Sequence, residues 1–234
     1  MSTSCTFSSA FTLVDQQADF IVVNKLAGIN FHDEGDIGTG LFNLVKQQLQ
    51  LPGLYPVHRL DKMTSGLVIM AKNLTTAQQF QQLFSIHQLE KYYLALSDQK
   101  PKKKQGLIKG DMEKSRRGSY KLLRSQESPA ITQFFSYSIG DGKRLYLLKP
   151  HSGKTHQIRV ALNSIGSPIM GDSRYSGSQA DRGYLHAYAL RFNLNEQTYQ
   201  YVCPAEHGEL FLQTDCKSAI EQLSPPWQLN WPKL

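Results

Sequence analysis

The 234-residue sequence predicts an α+β fold with a mixed, largely antiparallel sheet flanked by helices and loops. Strand-like and helix-like runs follow one another without the regular βαβ alternation of a parallel sheet. Gly140-Asp141-Gly142 separates two strand-like runs and signals a hairpin. No apolar run reaches the ~18 residues that would span a bilayer, so the hydrophobic residues, 40% of the chain, belong to a folded core.

The elements are expected in the following order. Phe20 to Asn24 reads as a strand that enters a polar loop from His32 to Gly40. Leu41, Leu44, Val45 and Leu49 recur at helical spacing after Thr39 as N-cap, and Pro52-Gly53 ends the pattern. Leu67 to Ala71 is a buried strand. Thr75 and Gln78 have capping-box spacing before a helix of roughly four turns that carries Ala77, Phe80, Leu83 and Phe84 on one face. Tyr92 to Leu96 is a strand. Residues 100–124 form a long loop or an exposed hairpin, expected to be mobile. Ile131 to Ser138 and Arg144 to Lys149 are the two hairpin strands. Thr155 to Ile165 is a helix closed by Gly166. Tyr184 to Phe192 and Gln200 to Val202 are further strands, and Asp215 to Leu223 is a short helix. One domain is expected over residues 11–223, with terminal segments 1–10 and 224–234.

Charge distribution separates the function classes. The chain carries 26 Lys and Arg against 19 Asp and Glu, a net charge of +7. Residues 100–124 hold ten basic and two acidic residues, a balance of +8, and the remainder is therefore −1. A solvated basic loop is the ordinary explanation of such a block. Here one segment carries the whole excess, which suits a phosphate backbone held through counterion release without reading sequence. The N-terminus lacks the early positive charge and apolar stretch of a secretory signal, so a cytoplasmic location is expected. Cys5, Cys203 and Cys216 form no CxxC pair and suit reduced thiols.

Several motifs fall away on spacing. Gly153-Lys154-Thr155 resembles the end of a nucleotide-binding P-loop, but Leu148 stands where the first glycine is needed. His151 and His156 are five residues apart and do not share a helix face, so no metal is expected. Asp33, Glu34 and Asp36 lack calcium-loop spacing and read as a solvated loop. Lys25 and Lys72 read as surface charges.

The run from Val57 to Asn73, VHRLDKMTSGLVIMAKN, carries the chemistry. It sets Asp61 among the basic residues His58, Arg59 and Lys62, with Thr64 and Ser65 able to bond backbone, Gly66 free to turn, and a buried strand following as a rigid support. An adjacent surface pair in a tight turn is the bland alternative for Arg59 and Asp61. The whole block resembles the signature of the RluA-type RNA pseudouridine synthases, and further matches follow in order over about residues 11 to 212. These are FIVVNKLAGINFH, EKYYLAL, SPAITQFF, SGKTHQIRV, Ser167 to Asp172, and Leu185-His186-Ala187. The chain departs from the family at Leu26, usually proline, at Lys154, usually arginine, and at Ala161, often histidine. Lys154 keeps the charge and loses bidentate geometry.

The resemblance implies the pseudouridine synthase fold with its active-site cleft across the sheet, and catalytic roles for Asp61, Tyr93 and Arg159. Pseudouridine formation breaks the N1–C1′ bond of uridine, turns the uracil and joins C5 to C1′, with no net oxidation and no cofactor. Asp61 would act as nucleophile or as base, Arg159 would orient it through a charge-assisted pair, and Tyr93 would stack on the uracil and help remove the C5 proton. The target base must be flipped out, and Arg59 is placed by the resemblance to fill the gap. RNA contacts are expected from Arg59, His58, Lys62, Lys154, Lys102, Lys103, Arg116 and Arg117. The matched portion begins near Phe20, so the family's optional N-terminal S4 module is not expected. The expected partner is structured RNA, ribosomal or transfer, with no membrane and no small-molecule cofactor, and the protein is expected to be a monomer. Two other classes compete: a catalytically silent RNA-binding or RNA-folding protein on the same scaffold, and a nucleoside hydrolase. The intact Asp61, Tyr93 and Arg159 set argues against the first, and the missing metal cluster against the second.

Overall fold

In the computed structural model the described residues are 10–234; Cys5 and residues 1–9 of the expected N-terminal segment lie outside them. The chain packs as two compact units that divide after Ile86.

In the first unit, β1 (Phe11–Gln16), β2 (Phe20–Lys25) and β4 (Ser65–Ala71) form an antiparallel sheet, and the short β3 (Tyr55–Pro56) pairs with the end of β4. The strand β2 lies between β1 and β4, which pair with its two edges, and every residue from Phe20 to Lys25 is buried. This explains why its sequence is a continuous apolar run rather than an alternating one. Helix α1 (Leu41–Gln48) buries Leu41 and Val45. Helix α2 (Leu74–Ser85) packs Phe80 edge-on against Phe20, with ring centroids 5.5 Å apart.

Both N-caps differ from the sequence expectation. Gly40, not Thr39, precedes α1, and a Cβ at residue 40 would lie 2.4 Å from the His32 carbonyl carbon, so only glycine fits there. Thr39 donates instead to the Asp36 carbonyl. The loop is organised by Asp33, whose carboxylate accepts from the amides of Gly38 (2.8 Å) and Gly40 (2.7 Å) and from the Asn43 side chain (2.7 Å). Those amides hold Asp33 below its usual carboxylate range, so Asp33 is a structural clasp rather than part of a solvated acidic loop. Helix α2 is capped by Asn73, which accepts from the Thr76 amide at 2.8 Å, ahead of the expected Thr75-Gln78 box.

The second unit is an antiparallel sheet of β5 (Glu90–Ser97), β6 (Gln105–Gly110), β9 (Ala130–Ser138), β10 (Arg144–Pro150), β11 (Leu185–Leu194) and β12 (Gln197–Val202). Its order is β12-β11-β5-β10-β9-β6. The hairpin of β9 and β10 turns through Gly140, Asp141 and Gly142, all at positive φ. The basic segment divides: β6 joins the sheet against β9, while β7 (Met112–Lys114) and β8 (Tyr120–Leu122) form a separate hairpin. Glu113 and Lys121 face each other across that hairpin at 2.8 Å. Helix α3 (Gln157–Ser164) starts two residues later than expected, because His156 adopts a left-handed conformation at φ 59°. Helix α4 (Thr214–Glu221) follows β12. Tyr92 and Phe135 pack against Trp231 near the C-terminus, with centroids 5.7 and 4.9 Å from its ring. Burial pushes the thiols of Cys203 and Cys216 up to about 12, which keeps both protonated.

Candidate active site

In the first unit the Asp61 loop is anchored from below by a lysine. Lys25 ends β2 with 0% exposure, and its ammonium donates to the carbonyls of Leu26 (2.8 Å), Ile29 (2.7 Å) and Lys62 (3.2 Å). The Gly28 amide also donates to the Lys62 carbonyl at 2.8 Å, and the Thr64 amide to the Asp61 carbonyl at 3.0 Å. A buried charge is tolerated where hydrogen bonds satisfy it, and here those bonds tie the residue after Asp61 to the sheet. Lys25 is thus an internal strut, not the surface charge its sequence context suggested. Lys72 likewise is not free at the surface; its ammonium donates to the Gln17 carbonyl. Asp61 is half-buried, Thr64 and Ser65 are buried, and Arg59 and Lys62 are exposed. His58 faces inward: its Nε2 accepts from the Ile69 amide at 2.9 Å and its ring lies 5.3 Å from Phe84. The loop is therefore fixed to β4 from one side and to β2 from the other.

In the second unit the period-two alternation of β5 separates the paired tyrosines. Tyr92 is fully buried, and its hydroxyl donates to Glu90 at 2.9 Å. Burial, reinforced by that carboxylate, pushes the Tyr92 phenol far above its usual value. Tyr93 points to the other face and is only half-buried, opposite Leu148 on β10 and Ala187 on β11.

Arg159, on α3, is 7% exposed and gripped by Asp172, which is 2% exposed. Nε donates to Oδ2 at 2.7 Å and Nη2 to Oδ1 at 2.8 Å, the bidentate geometry that only a guanidinium can make. The guanidinium carbon sits 5.0 Å from the centre of the Tyr175 ring. The Asp172 turn is held closely: its carbonyl accepts from the amides of Tyr175 and Gly177. A Cβ on Gly177 would lie 1.9 Å from the Ile169 carbonyl oxygen, so only glycine fits there. Gln157, two residues before Arg159, fixes the start of α3 by accepting from Ser152 Oγ (2.8 Å) and the Lys154 amide (3.0 Å).

Of the residues expected to meet RNA, Arg59, Lys62, Lys102, Lys103, Arg116 and Arg117 are exposed. Lys154 turns back to the Ser128 carbonyl and hydroxyl, and His58 is engaged with the backbone as described. Sequence reasoning assigned no role to Lys25, Asp172 and Tyr175. A signal existed for the first, a lysine at the end of an unbroken apolar strand. For Asp172 the signal was its place at the end of the matched block Ser167 to Asp172, and for Tyr175 there was none beyond its place in a glycine-rich turn.

Comparison with known proteins agrees with this architecture. The RNA pseudouridylate synthase family profile matches residues 19–164. An uncharacterized RNA pseudouridine synthase of Haemophilus influenzae is 48% identical over 203 residues, covering 86% of this chain and 90% of that protein. A ribosomal large subunit pseudouridine synthase C of Rickettsia bellii is 30% identical over 172 residues, covering 71% of this chain and 57% of that protein. The solved structure of human RNA pseudouridylate synthase domain containing 1 superposes with a TM-score of 0.72 at 24% identity, covering 95% of this chain and 97% of that one, and shares the fold. The chain belongs to the RNA pseudouridylate synthase family, whose members are isomerases that act on RNA.

Proposed function

We propose that this protein converts specific uridines of structured RNA, in large-subunit ribosomal RNA, transfer RNA or both, to pseudouridine without a cofactor. The observation that carries the reading is the half-buried Asp61 on a loop whose backbone is pinned by the buried Lys25. A carboxylate that must meet one sugar or base atom gains from such fixity, because positioning supplies a large part of a barrier reduction. On this reading Asp61 reacts with the flipped uridine, Tyr93 stacks on the uracil, and Arg159 orients the carboxylate. Arg59 occupies the space the base leaves, and the exposed cations of the 100–124 segment hold phosphates. The Rickettsia relative favours a ribosomal target. The protein acts as a monomer in the cytoplasm on this reading; among the described residues no helix is long and apolar enough to cross a membrane.

The test pairs chemistry with binding. Asp61→Asn should retain RNA affinity and release no tritium from RNA labelled at uridine C5, and an active Asp61→Asn enzyme would remove the assignment. A transcriptome-wide pseudouridine map with and without the gene should lose one or a few sites, which name the substrate.

A further inference from the structure

The basic hairpin β7–β8 and the Arg159 guanidinium are joined through one residue, Tyr175. Its hydroxyl accepts from the Tyr120 amide of β8 at 3.0 Å and shares a hydrogen bond of 2.9 Å with Nδ1 of His156, the residue just before α3. Its ring carries the guanidinium of Arg159 on its face. The Tyr120 and Tyr175 rings both meet the His156 ring edge-on, at 5.8 and 5.7 Å. A second tie runs alongside: Arg174 Nη1 donates to the Arg117 carbonyl at 2.6 Å, in the tight turn of the hairpin. Residues 172–175 therefore touch the hairpin at one end and grip Arg159, through Asp172, at the other.

We propose that Tyr175 is a positioning residue that couples seating of RNA on the hairpin to placement of the Arg159 side chain. This rests on the reading of Arg159 as a catalytic group. The hairpin carries Lys114, Arg116, Arg117 and Lys121 on its exposed surface. Phosphates bound there pull on Tyr120 and Arg117, and the hydroxyl of Tyr175 transmits that pull to the helix start and the guanidinium. Two elements in hydrogen-bonded contact bias each other by whatever free energy the contact carries, and the effect is reciprocal.

Tyr175→Phe removes both hydroxyl bonds and leaves the ring under Arg159. It should lower kcat on 5-tritiated RNA from cells lacking the gene by about tenfold, with KM within about twofold and thermal stability near the parent, since a small misplacement of a catalytic group is costly. Arg116→Gln with Arg117→Gln should raise KM and lower kcat in the parent background. In the Tyr175→Phe background the pair should still raise KM but cause no further loss of kcat, the non-additivity expected of one pathway. Parental kcat in Tyr175→Phe, or kcat losses that add in full, would overturn the coupling. An active Asp61→Asn enzyme would instead overturn the functional reading itself, so the two failures are distinguishable.

Discussion

Arg159 is held by both oxygens of Asp172 in a pair that is almost wholly excluded from solvent. The pair fixes two of the guanidinium's donor directions and so leaves the orientation of its remaining edge to the protein. A surface pair of the same residues would contribute little, but breaking a buried one leaves a charge with no solvent to replace its partner.

Asp172→Asn should therefore destabilise the protein by about 3–5 kcal/mol, measured by urea unfolding. Replacing both partners by apolar residues, Arg159→Met with Asp172→Leu, should recover most of that loss, while the loss of Arg159 should abolish pseudouridine formation on the proposed reading. A single variant as stable as the parent would show that the pair is not a buried charge contact.

Lys25→Met fills the same volume and removes the three donors that meet the carbonyls of Leu26, Ile29 and Lys62. Unsatisfied buried acceptors cost about 1–3 kcal/mol each, and the Asp61 loop loses its tie to β2. Unfolding free energy should drop by a few kcal/mol on that scale, and hydrogen exchange of the Thr64 amide, which bonds the Asp61 carbonyl, should quicken. Parental protection at Thr64 would remove the strut role.

His186 is expected to make stability depend on pH. The imidazole is fully buried, with Nε2 against the Cys203 carbonyl at 2.8 Å. Burial depresses its pKa from 6.5 to about 4, the carbonyl opposes the shift, and the nearby Arg182 adds to it. Between those two values only the unfolded chain takes up the proton, so stability falls as pH drops from 6.5 to about 4 and levels off below. The full loss corresponds to about 3 kcal/mol at roughly 1.4 kcal/mol per unit. His186→Gln should flatten the curve across that window, and an unchanged slope would assign the acid sensitivity to another group.

The sequence alone determined the α+β class, the four helices and the strands β2, β4, β5, β9, β10 and β11 to within about two residues, and the block around Asp61, while β1, β3 and β6 were not expected. These are written in local patterns: an apolar run for a covered strand, helical spacing for α1 and α2, and glycines for the hairpin between β9 and β10. The paired tyrosines also separate by local rule, since neighbours on a strand face opposite sides. Where the sequence expectation missed, the cause was a partner distant along the chain. Lys25 reads as surface charge until the Lys62 carbonyl, 37 residues on, is folded against it. Thr39 is a sound N-cap by residue type, but its hydroxyl donates to the Asp36 carbonyl and the helix begins after Gly40, where His32 leaves room only for glycine. Tyr175 acquires its meaning from Tyr120, 55 residues earlier, and Asp172 from Arg159. Residue type and spacing carry propensity and period, which are short-range properties. Which charge is buried, what satisfies it and which side chain it steadies depend on contacts that exist only once the chain has folded, and these the tertiary structure decided.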